Sequence, residues 1–163
     1  MSLTLGGTNP AVTFPDGTIQ NTAFGAGPAF SAYLSSNQSI SSGVYTKVTC
    51  NTKEFDTNTN YDATTNYRFT PTVAGYYQVS GCVDTSGSAA TTYQNVVIYK
   101  NGSLFKGGNR TTNSGGKVTV SPLIYLNGST DYLELYTYVI GTSVALSGAS
   151  TDTYFQASMV RAA

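Results

Sequence analysis

Along most of this chain apolar and polar residues alternate with a period of two, in short runs separated by clusters of Gly, Asn, Ser and Thr. That pattern predicts antiparallel β-strands and needs no helix. Phe30, Ala32 and Leu34 share one face of the first regular strand. Over 44–52, Val44, Thr46, Val48 and Cys50 alternate with Tyr45, Lys47, Thr49 and Asn51, which predicts another strand. The stretch 60–84 then organises the rest. Phe69, Pro71, Val73, Gly75 and Tyr77 fall on alternate positions, while Pro71 and Gly75 interrupt regular pairing, as expected of a chain leaving one sheet for another. Further on, Tyr77, Val79 and Val83 oppose Tyr76, Gln78, Ser80 and Cys82, so Cys82 is not required to be core.

The second half repeats the pattern. A Ser/Gly/Ala/Thr loop at 85–92 precedes a strand at 94–99, and Asn101-Gly102 follows as a hairpin signal, because both residues tolerate the positive φ of a type I′ turn. Gly107, Gly108, Gly115 and Gly116 bracket an expected polar loop. Val118, Val120, Pro122, Ile124 and Leu126 share one face of the next strand, which Asn127-Gly128 closes. Over 131–140, Leu133, Leu135, Thr137 and Val139 oppose Tyr132, Glu134, Tyr136 and Tyr138. Both faces carry residues that want partners, so three tyrosines in a row predict a second buried surface. The last strand, 153–160, sets Phe155, Ala157 and Met159 toward the core and Tyr154, Gln156, Ser158 and Val160 away from it.

Residues 1–28 differ. Gly6, Gly7, Pro10, Pro15, Gly17, Gly25, Gly27 and Pro28 punctuate short extended pieces, and no independent core can form there. Pro15-Asp16-Gly17 predicts a small hairpin with Val12, Phe14 and Ile19 as its apolar contacts. The domain reading is therefore an extended arm, 1–28, and a head, 29–163.

The residues of the head resemble the C1q/TNF-like jelly-roll family. The motifs are AFSA at 29–32, Tyr61-Asp62, the run Phe69-Thr70, Val73 and Gly75-Tyr76-Tyr77, the Lys100-Asn101-Gly102 hairpin, and the terminal strand with Phe155. The spacing from Tyr61-Asp62 to Phe69 is one residue shorter than the family's, and Pro71 sits one place earlier than its usual Pro, which implies a divergent branch. The resemblance covers about 29–161. It implies a jelly-roll β-sandwich, whereas periodicity alone gives only an antiparallel sandwich. It also implies a homotrimer joined through the outer face of one sheet, with Tyr132, Tyr136, Tyr138 and Tyr154 as predicted interface residues; tyrosines outside the strands, Tyr93 among them, are more open to a binding role. The phrase TFPDGTIQNTA at 13–23 is similar to one that precedes terminal domains in bacteriophage tail and virion proteins, with a flexible leader as the plainer reading.

Composition narrows the function. Eight basic and eight acidic side chains cancel, and charged residues are 10% of the chain, which opposes a phosphate-binding face for nucleic acid. No apolar run reaches the ~18 residues of a membrane span, and MSLTLGGTNP has neither the basic nor the apolar region of a secretory leader. Asn37, Asn101, Asn109 and Asn127 open Asn-x-Ser/Thr triplets, expected to be bare. Cys50 and Cys82 are expected as free thiols, and with no His in the chain neither has the partner a nucleophile needs. Glu54 with Asp56 is the sole close carboxylate pair; a calcium site there is a weak alternative to a solvated loop. Thirteen tyrosines without tryptophan admit sugar stacking, against a plainer role filling core and interface, with Tyr77, Tyr132, Tyr136, Tyr138 and Tyr154 assigned to the latter.

Together these expectations describe a non-enzymatic virion structural protein without cofactor. It is a homotrimeric capsid decoration or cement-type knob, assembled in the host cytoplasm and contacting capsid or tail proteins through its arm. The alternative is a receptor-binding head of a tail fibre or tail-associated protein, docking on host glycan or protein. A capsule hydrolase is disfavoured by the missing acid/base constellation.

Overall fold

The computed structural model describes residues 27–86, 88–112 and 116–163, together with the backbone at 12–13, 15 and 19–20. Near the start, β1 (Val12–Thr13) and β2 (Ile19–Gln20) pair antiparallel. The chain continues through β3 (Ala29–Tyr33), β4 (Gln38–Ser39), β5 (Thr46–Lys47), β6 (Thr52–Asp56), β7 (Tyr61–Asp62) and β8 (Arg68–Phe69). Then come the long strands β9 (Gly75–Asp84), β10 (Ala90–Lys100) and β11 (Ser103–Thr111), followed by β12 (Lys117–Val120) and β13 (Leu123–Leu126). The last are β14 (Leu133–Thr142), β15 (Ala145–Leu146) and β16 (Tyr154–Ala162).

Two six-stranded antiparallel sheets pack face to face. One has the order β11-β10-β14-β8-β7, with β5 also on β14; the other has β12-β9-β16-β3-β6, with β13 also on β9. Neighbours distant in sequence, such as β16 between β3 and β9, make this a jelly roll and not a meander. The small pair β15-β4 lies apart from both, and among the described residues no helix forms.

The inward residues of the two sheets meet in one aromatic-centred core. Phe30 stacks on Tyr61 and Phe69, each at 4.6 Å between ring centres, and meets Phe155 edge-on at 5.1 Å. Tyr77 packs edge-on against Phe69 at 5.5 Å and is fully buried, as its assignment to the core requires. Its hydroxyl donates to the Val73 carbonyl at 2.6 Å, and that of Tyr61 donates to the Cys50 carbonyl at 3.0 Å, so neither ring buries an unpaired polar tip.

The predicted change of sheet around Pro71 is present: Phe69 pairs with Leu133 in one sheet, and Gly75 opens β9 in the other. The 44–52 segment departs from expectation for the same reason. It is not one strand, because β5 belongs to the first sheet and β6 to the second, and of the residues read onto one face Val44 is exposed while Val48 and Cys50 are buried. The expected loop around Gly107 is also a strand: 103–111 pairs with β10 as an exposed edge. Gly108 is needed there because a Cβ would collide with the Thr119 carbonyl. The strand predicted over 118–126 breaks at Pro122 into β12 and β13, yet Val118, Val120, Ile124 and Leu126 are buried as their shared face requires.

One carboxylate joins the two Asn-Gly turns. Asn101 and Gly102 have φ of 54° and 77°, as a type I′ turn demands. Asp131 accepts from the Asn101 side-chain amide at 2.8 Å and the Asn127 N–H at 3.1 Å, and pairs with Lys100 at 2.9 Å.

Candidate interaction faces

With the inward residues committed to the core, function is left to the outer faces of the two sheets. On the β10/β14 sheet the alternation places Tyr132, Glu134, Tyr136 and Tyr138 outward, beside Tyr93, Asn95 and Tyr99 of β10. These rings already have partners within the chain. Tyr132 lies under the Arg68 guanidinium at 4.4 Å, Tyr136 against Tyr99 at 4.0 Å, and Tyr138 against Tyr45 at 5.1 Å and Tyr93 at 5.9 Å. Lys47 pairs with Glu134 at 2.5 Å and sits 5.8 Å from the Tyr136 ring, so charge runs through the middle of the stripe. Burial, followed by the Glu134 carboxylate, raises the Tyr136 phenol above its ordinary range; burial, followed by Tyr45, does the same to Tyr99. At one end, Tyr45, Tyr93, Asn95, Tyr138 and Ile140 line a depression of about 240 Å³.

The β9/β16 sheet presents a different surface. Tyr76, Leu123, Tyr125 and Val160 are 42%, 55%, 45% and 56% exposed, and the two tyrosine rings pair at 5.5 Å across β9 and β13. Toward the other end of the same sheet, Tyr154 lies opposite Cys82 on the neighbouring strand, with the Lys117–Asp152 pair at 2.9 Å nearby. Cys82 is buried despite its outward position, and desolvation raises its thiol above the ordinary range. Cys50 is deeper, and burial pushes its thiol up to about 12; both cysteines are free.

The four predicted interface tyrosines are thus divided. Tyr132, Tyr136 and Tyr138 belong to β14 and its approach, and Tyr154 to the opposite sheet, so a single flat contact cannot take all of them. The reason lies in topology: sequence alternation tells which residues face outward and says nothing about which sheet a strand joins. In the arm, Val12 pairs with Gln20 and Thr13 with Ile19 along the backbone, a hairpin around the predicted turn; Phe14 lies outside the described residues. The head takes up the chain from Pro28, whose carbonyl accepts the Met159 N–H at 3.0 Å.

Other singled-out residues have local tasks. Glu54 accepts from the Ser31 hydroxyl at 2.6 Å, while Asp56 accepts from the Asn60 and Tyr61 N–H groups at 2.9 and 3.1 Å and from Lys53 at 3.1 Å, so the two carboxylates serve separate partners. Among the described residues no three His, Cys, Asp or Glu groups gather in a way that could hold a metal ion. The four triplet asparagines have partners within the chain: Asn37 accepts from Gly148, Asn109, on β11, from Thr119, and Asn127 from Ser129, Thr130 and Asp131 N–H groups, while Asn101 donates to Asp131. Asn95 and Tyr45 were not singled out by sequence. Tyr93, read as a loop residue, is in β10, next to a break in its register with β14.

No family model matches the sequence, and no curated protein does. Solved structures share its fold. Murine APRIL (pH 8.0) superposes with a TM-score of 0.63 at 11% identity over 82% of this chain and 98% of that one. The globular domain of zebrafish complement 1qA gives 0.64 at 16% identity, over 84% and 99%. The PRD1 vertex protein P5 gives 0.57 at 19% identity, over 82% and 96%. The head therefore has the jelly-roll fold of these APRIL and complement 1qA domains, which the PRD1 vertex protein P5 shares.

Proposed function

We propose that this chain is a non-enzymatic phage virion structural protein, a homotrimeric knob of the capsid decoration or cement kind held to the particle by residues 1–28. The likeness of its fold to the PRD1 vertex protein P5 over nearly the whole head carries this reading, and the virion-like TFPDGTIQNTA phrase supports it. Fold alone does not assign function, so the surfaces must also suit the role. Tyr76, Leu123, Tyr125 and Val160 are exposed apolar residues of the β9/β16 sheet, which also exposes Phe55 on β6, and such a surface on a small domain marks an interaction face. In this reading it packs around the three-fold axis, with Tyr154 on the same sheet's outer face, and the tyrosines of β14 face outward. With residues 12–20 folded back on themselves by the β1-β2 pairing, the remaining residues of the arm reach at most about 65 Å, enough to lie across a neighbouring shell subunit. Three arms on one knob raise the effective concentration of each, so weak individual contacts suffice.

Deleting residues 1–23 tests the arm. A folded, self-associated head that no longer joins particles is the expected result. Normal incorporation of the truncated protein would show that the arm is not the anchor. The attachment-head alternative is favoured by one observation, the tyrosine-lined depression, which lies on the sheet opposite the proposed axis.

A further inference from the structure

We propose that the depression between Tyr45, Tyr93, Asn95, Tyr138 and Ile140 binds one neutral sugar ring of a surface glycan. At about 240 Å³ it falls below the ~300–1,000 Å³ of drug-sized sites, which limits an occupant to roughly a single ring. Its walls are tyrosines set at angles to one another. Tyr45 and Tyr138 meet at 50° and Tyr93 and Tyr138 at 77°, so the rings form a cup and do not close into a flat stack. The face of an aromatic ring is negative and attracts polarised C–H groups, which a pyranose presents on its apolar side.

The floor supplies the polar half of the match. Asn95 has a buried side-chain oxygen without a hydrogen-bond partner. An unsatisfied buried acceptor is unfavourable, and turning the amide about its last torsion toward the opening would let a sugar hydroxyl relieve it. None of the five lining residues is charged, so the occupant is neutral. A purely apolar ligand would leave the Asn95 amide unmatched, whereas a pyranose carries a hydroxyl fringe around its apolar face.

The cup is also held in shape. The loop bearing Tyr45 is pinned to β14 by the Gly43 N–H on the Val139 carbonyl at 2.8 Å and by the Gly141 N–H on the Ser42 hydroxyl at 3.1 Å. A preformed wall reduces the ordering cost of binding. Because the depression is on the β10/β14 sheet, it stays open in a knob assembled through the other sheet. The inference does not depend on where the knob sits on a particle.

The test is saturation-transfer NMR on the full chain with methyl glycosides of glucose, galactose and N-acetylglucosamine as probes. At least one is expected to bind saturably with a dissociation constant of ~1–10 mM, the range of weak single-ring recognition. Tyr93→Ala and Asn95→Ala each weaken it tenfold or more, and Leu104→Ala on the exposed edge strand β11, outside the depression, leaves it unchanged. Asn95→Ala keeps the inference testable if Tyr93→Ala does not fold. Absence of saturable binding for all three glycosides, or binding that survives Asn95→Ala undiminished, overturns it.

Discussion

Replacing Tyr125 by arginine distinguishes the two outer faces. Tyr125 is 45% exposed beside Tyr76 and Leu123 on the β9/β16 sheet. A whole tyrosine hides roughly 200 Å², so about 90 Å² of it is left for a partner to cover. At ~25 cal/mol per Å² that amounts to about 2 kcal/mol per subunit and about 6–7 kcal/mol over three. With ~1.4 kcal/mol per decade, the association constant of the trimer falls by four to five decades at most from lost burial alone. The guanidinium adds a desolvation penalty of several kcal/mol wherever it is enclosed without a counter-charge. Sedimentation equilibrium at ~10 µM should therefore show trimer for the wild type and monomer for Tyr125→Arg, with unchanged circular dichroism. Tyr136→Arg is the counterpart, since Tyr136 packs on Tyr99 and near Lys47 within its own chain and should leave the trimer intact. A Tyr125→Arg protein that remains trimeric, or a Tyr136→Arg protein that dissociates, refutes the assignment of the axis to the β9/β16 sheet.

Three further outcomes concern stability. Asp131→Ala should cost about 3 kcal/mol, because it removes hydrogen bonds from Asn101 and Asn127 together with the Lys100 pair; at ~2–4 °C per kcal/mol for a domain of this size, the melting temperature drops by ~6–12 °C. Phe30→Ala should cost about 3–5 kcal/mol in denaturant unfolding, since the ring lies between Tyr61, Phe69 and Phe155 and the sheets cannot close over its space. Acid should destabilise the head through Asp62 and Asp131. The Thr65, Thr64 and Asn66 N–H groups hold the Asp62 carboxyl well below the usual carboxylate range; burial pushes Asp131 up, but Asn101, Lys100 and the Asn127 N–H outweigh it and leave it lowered. Groups depressed in the folded state stabilise it above their unfolded value near ~3.9, and this contribution is lost as pH falls through the folded values. Melting temperatures are thus expected to stay level down to about pH 5 and fall below about pH 4, less steeply in Asp62→Ala.

The sandwich was legible in the sequence because its signals are local. Alternation at Phe30, Ala32 and Leu34 and at Leu133, Leu135 and Val139, with positive-φ residues at Asn101-Gly102, fixes strands and a turn without knowledge of partners. Exchange between sheets was legible only where a proline marked it, as at Pro71. Between Lys47 and Thr52 the change of sheet carries no such mark, and the alternation reads straight through it. The outward tyrosines show the same limit. Their need for partners was visible, but Tyr45, Arg68 and Tyr99, which meet it, come from distant segments. The division of Tyr154 from Tyr132, Tyr136 and Tyr138 follows from strand order, which depends on long-range pairing that no window of sequence contains. Asn95 gave no signal, because its unpaired oxygen is defined only by the rings around it.

The virion role is tested most directly by immunogold electron microscopy of purified, intact particles, using antibody against residues 29–163. The proposed function predicts many gold particles spread over the capsid, retained through density-gradient purification and lost when residues 1–23 are deleted. Label confined to the tail would contradict decoration and favour an attachment head, and particles bearing no label at all would contradict a structural role in the virion.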